Sequence, residues 1–248
     1  MSERVLSILA HPDDAEILCG GTLARLRKLG WDVHIATMTP GDCGSRDLSR
    51  EEISRVRKEE ARQAAAQLGG VYHCLDSEDL LVCFDAAHIR RTVELIRAVD
   101  PSLVLTHSPQ DYMPDHEFTS LLVRAACFGG PVRNFDTRGA SPAPPTAHIP
   151  YLYYCLALGG HDIFGVPALS SVVIDVSEVM EKKLDMLACH RSQREWLRAQ
   201  HGVDDYLDTT RRWCAELGRL HGVDYAEGFR QHIGHAYPQD DLLRRLLG

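Results

Sequence analysis

Apolar and polar positions follow a repeating pattern through the first half of the chain. Short apolar runs of strand length are followed by longer segments in which apolar residues recur at helical spacing. The predicted strands span residues 5–10, 32–39, 71–76 and 102–107, and the predicted helices span 19–30, 49–70, 86–100 and 116–128. Repeated strand–helix units of this kind predict an α/β fold that is Rossmann-like and doubly wound, with a mostly parallel sheet flanked by helices.

The pattern becomes less regular after residue 128. Residues 129–150 are rich in glycine and proline and predict a long loop. The remaining predicted elements are strands at 151–158 and 171–177, helices at about 178–200 and 203–220, and a short C-terminal helix. Because the chain has no internal repeat and no low-complexity linker, we predict a single domain over 1–248. Its core would span about 4–128 and its C-terminal elaboration about 129–248.

Composition and charge narrow the classes of function. The 248 residues are 44% hydrophobic and 25% charged, which is typical of a globular chain. The formal net charge of -8 argues against nucleic-acid and anionic membrane partners. No apolar run approaches the roughly 18 residues of a spanning helix, and residues 1–25 lack the features of a signal peptide. We therefore predict a cytoplasmic protein without membrane or nucleic-acid partners.

The cysteines bear on any metal site. All 8 cysteines are widely spaced and none forms a CxxC pair, which favours reduced thiols over disulfides or a cysteine-zinc site. Histidines and carboxylates would therefore have to hold any metal.

The first predicted strand runs directly into the sequence AHPDD. His11, Asp13 and Asp14 follow the carboxyl end of that strand, the edge where open α/β sheets bind ligands. His11 and Asp14 have the spacing of two metal ligands on one tight turn, which Pro12 stiffens, and imidazole with carboxylate suits Zn²⁺. The alternative is that one aspartate caps the next helix and His11 is only a polar turn residue.

A second polar loop follows the fourth predicted strand. The sequence THSPQDYMPDHEFTS carries Asp111, Asp115 and His116. The usual doubly wound order places the first and fourth strands side by side, so both polar loops would open onto one crevice. His11, Asp14 and His116 would then form a His₂-carboxylate set with a coordination position left for water, as in catalytic zinc sites. MPDH is also a normal helix start, and both interpretations can hold together.

These motifs resemble the LmbE-like, or PIG-L, N-deacetylase family. The similarity rests on AHPDDAE, TPGDCGS, RKEEARQAAAQLG, DYMPDH, CHRSQ and YAEGF, in the family's order from residue 4 to about 230. The resemblance implies that His11, Asp14 and His116 bind zinc, although iron or manganese would suit the same ligands. It also implies that Asp13 is the general base and that Arg57 helps to bind substrate.

One residue departs from the family pattern. Many members have HPDH where this chain has MPDH, and Met113 can neither support a tetrahedral intermediate nor protonate a leaving amine. Tyr112, His161 and His190 are candidates for the missing role. For the two histidines, a structural hydrogen bond is the favoured alternative.

The resemblance implies a zinc-dependent hydrolase that removes the acetyl group from an N-acetylated amino sugar, such as an N-acetylglucosaminyl compound. Its partner would be this small-molecule N-acyl sugar, and Arg57, Asp111 and Gln193 are the predicted substrate contacts. One alternative is a zinc amidase for another N-acyl substrate; a second is a metal- or sugar-binding protein without activity. Family members often form homo-oligomers, and the sequence leaves the oligomeric state open.

The sequence also gives predictions for residues outside these motifs. His107 follows the fourth strand and is expected to orient a metal ligand. His232 and His235, in RQHIGHAYP, are predicted to lie in a solvated tail. Cys43 has no paired base in the sequence and is predicted to be a loop residue rather than a nucleophile.

Overall fold

Strands and helices alternate through the first half of the chain in the computed structural model, which describes residues 3–201 and 206–248. The strands are β1 (Arg4–Leu9), β2 (Asp32–Thr37), β3 (Val71–Cys74), β4 (Leu103–Thr106), β5 (Tyr151–Cys155), β6 (Val172–Asp175) and β7 (Ala226–Gln231). The helices are α1 (Asp14–Lys28), α2 (Arg50–Ala66), α3 (Ala86–Val99), α4 (Pro114–Gly129), α5 (Met180–Leu187), α6 (Arg191–His201), α7 (Tyr206–His221) and α8 (Leu242–Leu247).

The described strands form one mixed sheet in the order β3-β2-β1-β4-β5-β7-β6. β1 to β5 pair in parallel, whereas β7 runs antiparallel to both of its neighbours. The Rossmann-like, mostly parallel fold is therefore confirmed. β1 lies directly beside β4, with Ile8 opposite Thr106 at their carboxyl ends. The loops that follow these two strands consequently open at the same place on the sheet.

β7 was not predicted from the sequence. Residues 226–231 read AEGFRQ, a segment without a β-branched residue, and its strand conformation comes from pairing with β5 and β6 rather than from local propensity. The prediction of a solvated tail is wrong for His232, whose Nδ1 lies 2.9 Å from the Tyr154 hydroxyl and whose ring packs on Tyr237. His235 is exposed, as predicted.

Two helix boundaries differ from the predicted ones. α1 begins at Asp14, five residues before the apolar periodicity becomes visible. The helix predicted at 178–200 is divided into α5 and α6, because the chain turns inward at His190. That side chain is 1% exposed, and its Nε2 lies 3.3 Å from Oε2 of Glu16. The predicted helix at 203–220 corresponds to α7, and its residues 203–205 lie outside the described residues.

A buried ion pair ties α1 to the C-terminal third of the chain. Glu227 on β7 accepts hydrogen bonds from the backbone N–H groups of Gly21 (2.8 Å) and Thr22 (2.7 Å), in the middle of α1. Lys183 on α5 donates to Oε1 of Glu227 (2.5 Å) and to the carbonyl oxygen of Ile17 (2.8 Å). The pair therefore satisfies backbone groups that sit inside the helix as well as each other.

Two apolar layers cover the faces of the sheet. One lies beneath α1, α2 and α8 and includes Leu23, Leu26, Ile35 and Phe229; the other lies beneath α3 and α4 and includes Ile8, Ile96 and Leu122. Among the described residues, none of the helices is long and apolar enough to cross a bilayer.

Candidate active site and metal centre

His11, Asp14 and His116 meet at the adjacent carboxyl ends of β1 and β4. Oδ2 of Asp14 accepts a hydrogen bond from the His11 backbone N–H (2.8 Å) and lies 3.3 Å from His11 Nδ1. Nε2 of His116 lies 3.6 Å from the same oxygen. One potential ligand atom from each residue falls within 4.8 Å of the others, and all three residues are buried. The structure thus brings the predicted ligand set together.

Each of these histidines also contacts a second carboxylate. His11 Nε2 lies 3.3 Å from Oδ2 of Asp115, and His116 Nδ1 lies 2.9 Å from Oδ1 of Asp111. A carboxylate on the far nitrogen fixes the ring orientation and the tautomer of a metal-binding histidine. Asp111, predicted from the sequence as a substrate contact, is 2% exposed and lies behind His116 instead of in the cavity wall.

The electrostatics of this cluster favour a positive charge. Burial alone would lower the pKa of His11, but Asp115 and Asp14 raise it to about 10. Burial opposes ionisation of Asp14, yet His116 and His107 hold its pKa well below the ordinary value. Two imidazoles and an ionised carboxylate that converge in this way form a donor set that fits a divalent cation.

His107 contacts two of the three ligand candidates, His116 and Asp14. Its ring stacks on His116 with the centroids 3.8 Å apart, and its Nε2 lies 3.1 Å from Oδ2 of Asp14. The backbone N–H of Ala10 donates to the same nitrogen (2.9 Å). Burial and the nearby His116 lower the pKa of His107 to about 4, so its imidazole is neutral at physiological pH. The predicted role of His107 in orienting a ligand stays a prediction.

Asp13 occupies a strained position next to the cluster. Its φ of 112° lies in the left-handed region, where a residue with a side chain costs about 1–3 kcal/mol. Its Oδ2 accepts a 2.5 Å hydrogen bond from the Tyr206 hydroxyl and lies 3.4 Å from Arg57 Nη2. Burial raises the pKa of Asp13 although Arg57 opposes that shift, which suits a carboxylate that takes up a proton.

Arg57 connects the AHPDD turn to the loop after β2. Nη2 of this buried side chain donates to the Pro12 carbonyl oxygen (2.7 Å), and Nη1 donates to the carbonyl oxygen of Gly41 (3.3 Å). Its Nε has no hydrogen-bond partner among the described residues. Arg57 therefore braces the turn that carries Asp13, and its predicted contact with substrate stays a prediction.

A cavity of about 590 Å³ opens above the cluster. Its floor holds the three ligand candidates and Asp13, whereas much of its wall is apolar or aromatic. These wall residues are Ile17, Leu80, Tyr112, Met113, Leu158, Trp196, Leu197, Tyr206 and Trp213. Such a concave, mostly apolar pocket with a few convergent polar groups is typical of a small-molecule site.

The other predicted site residues are distributed around this cavity. Gln193 lines it, and its Oε1 is buried without a hydrogen-bond partner among the described residues. Tyr112 is 58% exposed and meets His116 edge-on with the ring centroids 5.4 Å apart. His190 lies behind the wall against Glu16, and His161 lines a neighbouring cavity. The structure therefore does not bring these two histidines into the main cavity.

Several cavity residues carried no signal in the sequence. Asp79 is 7% exposed, lines the cavity, and has an Oδ1 atom without a hydrogen-bond partner among the described residues. Tyr206, Trp196 and Trp213 come from α6 and α7. Amphipathic spacing predicted these helices, but only the packing of the helices shows which face turns toward the site.

The first half of the chain matches a known family model. Residues 6–127 match the model described as PIG-L: GlcNAc-PI de-N-acetylase. The chain is also 30% identical over 243 residues to diacetylchitobiose deacetylase of Thermococcus kodakarensis, a similarity that covers 92% of this chain and 82% of the relative.

Solved structures show the same architecture. N,N'-diacetylchitobiose deacetylase from Pyrococcus horikoshii, in complex with an inhibitor, is similar with a TM-score of 0.75 and 25% identity over 97% of this chain and 89% of that one. The 4-carboxy-2-hydroxymuconate hydratase from Pseudomonas putida KT2440 has a TM-score of 0.76 and 21% identity over 96% of this chain and 100% of that one; this likeness shows the fold alone. The motifs, the site and these similarities together show that the chain belongs to the PIG-L, or LmbE-like, deacetylase family.

Proposed function

We propose that this protein is a zinc-dependent hydrolase that removes the acetyl group from an N-acetylated amino sugar and releases acetate and the free amine. The observation that carries the proposal is the convergence of His11, Asp14 and His116 beside the buried carboxylate of Asp13, on the floor of one cavity. The deacetylase activities of the relatives support it.

The metal would be held by Nδ1 of His11, the Asp14 carboxylate and Nε2 of His116. Two imidazoles and one carboxylate suit Zn²⁺ and leave a coordination position for water or substrate; Fe²⁺ or Mn²⁺ would also be accepted by these ligands. A zinc ion bound there supplies Lewis-acid polarisation of the amide carbonyl and lowers the pKa of a coordinated water. Asp111 and Asp115 keep the two imidazole rings in place for that purpose.

Asp13 is the proposed base. Tyr206 and Arg57 both contact its Oδ2, so Oδ1 is the oxygen that would take up the proton. Asp13 takes a proton from the attacking water as the C–O bond forms. It then returns that proton to the amide nitrogen as the C–N bond breaks, because the thioether of Met113 has no proton to donate.

Two unpaired acceptors face the space where the sugar would bind. Asp79 Oδ1 and Gln193 Oε1 are buried without hydrogen-bond partners among the described residues, so each can accept a hydrogen bond from a sugar hydroxyl. Nε of Arg57 is an unpaired donor in the same cavity wall. The indole rings of Trp196 and Trp213 offer flat apolar surfaces for the ring of the sugar.

An assay of the zinc-loaded protein tests the proposal. N-acetylglucosamine, N,N'-diacetylchitobiose and a panel of sugars with other N-acyl groups would be supplied, and free amine and carboxylic acid would be measured. We expect equal amounts of amine and acetate, with both lost after chelation and restored by added zinc.

The two sequence-based alternatives give different results in the same assay. Release of other acids without acetate would favour an amidase for a different N-acyl substrate. Stoichiometric zinc binding without turnover of any compound would overturn the hydrolase proposal and favour a binding protein. A cytoplasmic location and a homo-oligomer stay predictions that this assay does not address.

A further inference from the structure

A second cavity of about 330 Å³ adjoins the main cavity. Ile17 and Trp213 line both of them, and the turn at residues 158–160 borders both as well, with Leu158 on the first and Gly159 and Gly160 on the second. The two cavities therefore share the residues Ile17 and Trp213 in their walls. A group attached to a substrate in the main cavity would reach the second one past these two side chains.

The walls of the second cavity are mainly apolar. The apolar residues along it are Ile17, Leu18, Leu156, Ala157, Pro167, Ala168, Trp213, Leu217, Leu220 and Ala226. Its buried carboxylate, Glu227, already binds Lys183 and two backbone N–H groups of α1. His161 and Glu216 also line it but are exposed to solvent. Among the described lining residues, no buried charged side chain is left without a partner and thus able to bind a polar ligand.

The mouth of this cavity continues as exposed apolar surface. Leu220, which lines the cavity, is 70% exposed. Phe164 lies within the segment 161–168, which contributes lining residues, and Leu169 directly follows that segment; they are 83% and 78% exposed. Exposed apolar residues gathered around a pocket mark an interaction site more often than scattered ones do.

We propose that the second cavity binds an unbranched alkyl chain carried by the substrate, so that the preferred substrate is an amphiphilic N-acyl amino sugar. This inference rests on the proposed function of the main cavity. The physical reason is that every buried methylene contributes free energy without needing a polar partner, which matches a wall that offers none. The chain belongs either to an alkyl group on the glycosidic oxygen, in which case acetate is still the acid released, or to the N-acyl group, in which case the acid released is the longer one and the main cavity acts as an amidase for that acyl group.

Two substrate series distinguish these sources. One compares N-acetyl with N-octanoyl glucosamine, and the other compares methyl with octyl N-acetyl-β-glucosaminide, all below their micellar concentrations. We expect kcat/KM of the zinc-loaded protein to rise about tenfold or more with chain length in one series, because two or three buried methylenes are enough for that factor. The series that responds identifies the position of the chain.

Two variants locate the effect in the second cavity. Leu220→Glu places a charge at its mouth and Ala168→Phe fills its interior; both should reduce the long-to-short ratio of kcat/KM to near one. Val132→Glu is the matched control, because Val132 is 41% exposed and lines neither cavity, and it should keep the wild-type ratio. Calorimetric binding of octyl N-acetyl-β-glucosaminide and N-octanoyl glucosamine to the same proteins provides a readout that does not depend on turnover.

The outcomes separate this inference from the proposed function. Hydrolysis of short substrates without any gain from chain length would overturn the alkyl site and leave the deacetylase proposal intact. A gain that persists in both cavity variants would also overturn it. If nothing is hydrolysed, tighter binding of an octyl-bearing compound by the wild type than by Leu220→Glu supports the site, and equal binding rejects it.

Discussion

The hydroxyl of Tyr206 donates a 2.5 Å hydrogen bond to Oδ2 of Asp13, across 193 positions of sequence. The bond joins the start of α7 to the turn after β1, and Arg57 contacts the same oxygen. Asp13 is thereby held in a left-handed backbone conformation with one carboxylate oxygen engaged. The C-terminal half of the chain thus contributes directly to the geometry of the proposed base.

Removal of that hydroxyl should impair turnover without unfolding the protein. We expect Tyr206→Phe to lower kcat about tenfold, because a hydrogen bond to a charged carboxylate contributes on the order of 1.5–3 kcal/mol. Tyr151→Phe is the matched control, since the Tyr151 hydroxyl binds Asp240 at 2.6 Å on the surface. Steady-state kinetics on both variants checks this prediction, and equal rates would show that Tyr206 does not position Asp13.

Replacement of the base should separate metal binding from catalysis. Asp13→Asn keeps the size of the side chain but cannot accept the proton, so kcat should fall about 100-fold or more while the zinc content stays at the wild-type level. Combining it with Tyr206→Phe should add little further loss, because both changes act on one carboxylate. Turnover that survives in Asp13→Asn would assign the base elsewhere.

The carboxylate behind His116 should influence metal affinity. Asp111→Asn removes the charged partner of His116 Nδ1, and we expect zinc affinity to weaken about 10- to 100-fold. Competition with a chromogenic chelator measures the change. Asp185→Asn, at an exposed position on α5, is the control and should bind zinc as the wild type does. An unchanged affinity in Asp111→Asn would show that the charge of Asp111 does not support metal binding by His116.

Replacing Met113 by histidine tests whether the lack of a separate general acid limits kcat. If Asp13 returns the proton to the leaving nitrogen, Met113→His should alter kcat less than about tenfold. The comparison is made at constant zinc occupancy, so that a new imidazole in the cavity is not mistaken for a catalytic gain. An increase of about 100-fold or more would instead show that the wild type lacks an acid that other members of the family possess.

The buried pair of Lys183 and Glu227 should dominate the stability of the C-terminal half. Lys183→Met leaves the carboxylate of Glu227 buried without its cation, so the free energy of unfolding should fall by about 3–5 kcal/mol. Lys182→Met, on the same helix but beside solvent, should change it by less than about 1 kcal/mol. Urea denaturation of the two variants makes the comparison. A loss in Lys183→Met no larger than in the control would show that the pair is not needed.

The sequence predicts the set of metal ligands because each ligand lies in a turn or at a helix start that the local sequence already indicates. His11 and Asp14 lie on one turn, His116 lies two residues inside α4, and the usual strand order of the fold brings the two turns together. No contact between distant side chains had to be known beforehand. The role of Asp111 is harder to predict, since nothing in DYMPDH distinguishes a carboxylate that faces substrate from one that faces His116.

The rest of the site depends on packing that has no local signature. Tyr206 and Trp213 belong to an amphipathic helix whose direction across the sheet is set by contacts with β7 and α5. β7 itself is specified by its neighbours, and its alternating polar residues include Glu227, which a pattern of hydrophobicity places in solvent. Glu227 is buried in the structure because its carboxylate accepts hydrogen bonds from Lys183 and from two backbone N–H groups of α1.

The position of β7 also bears on when the protein can fold during synthesis. β6 precedes β7 along the chain, yet among the described strands its one partner is β7, which separates it from β5. When β6 leaves the ribosome, its partner β7 has therefore not been made. About fifty more residues must be translated before β7 emerges and the two strands can pair. Because α7, which carries Tyr206 and Trp213 to the main cavity, packs against β7, that wall of the cavity is completed only after β7 has left the exit tunnel.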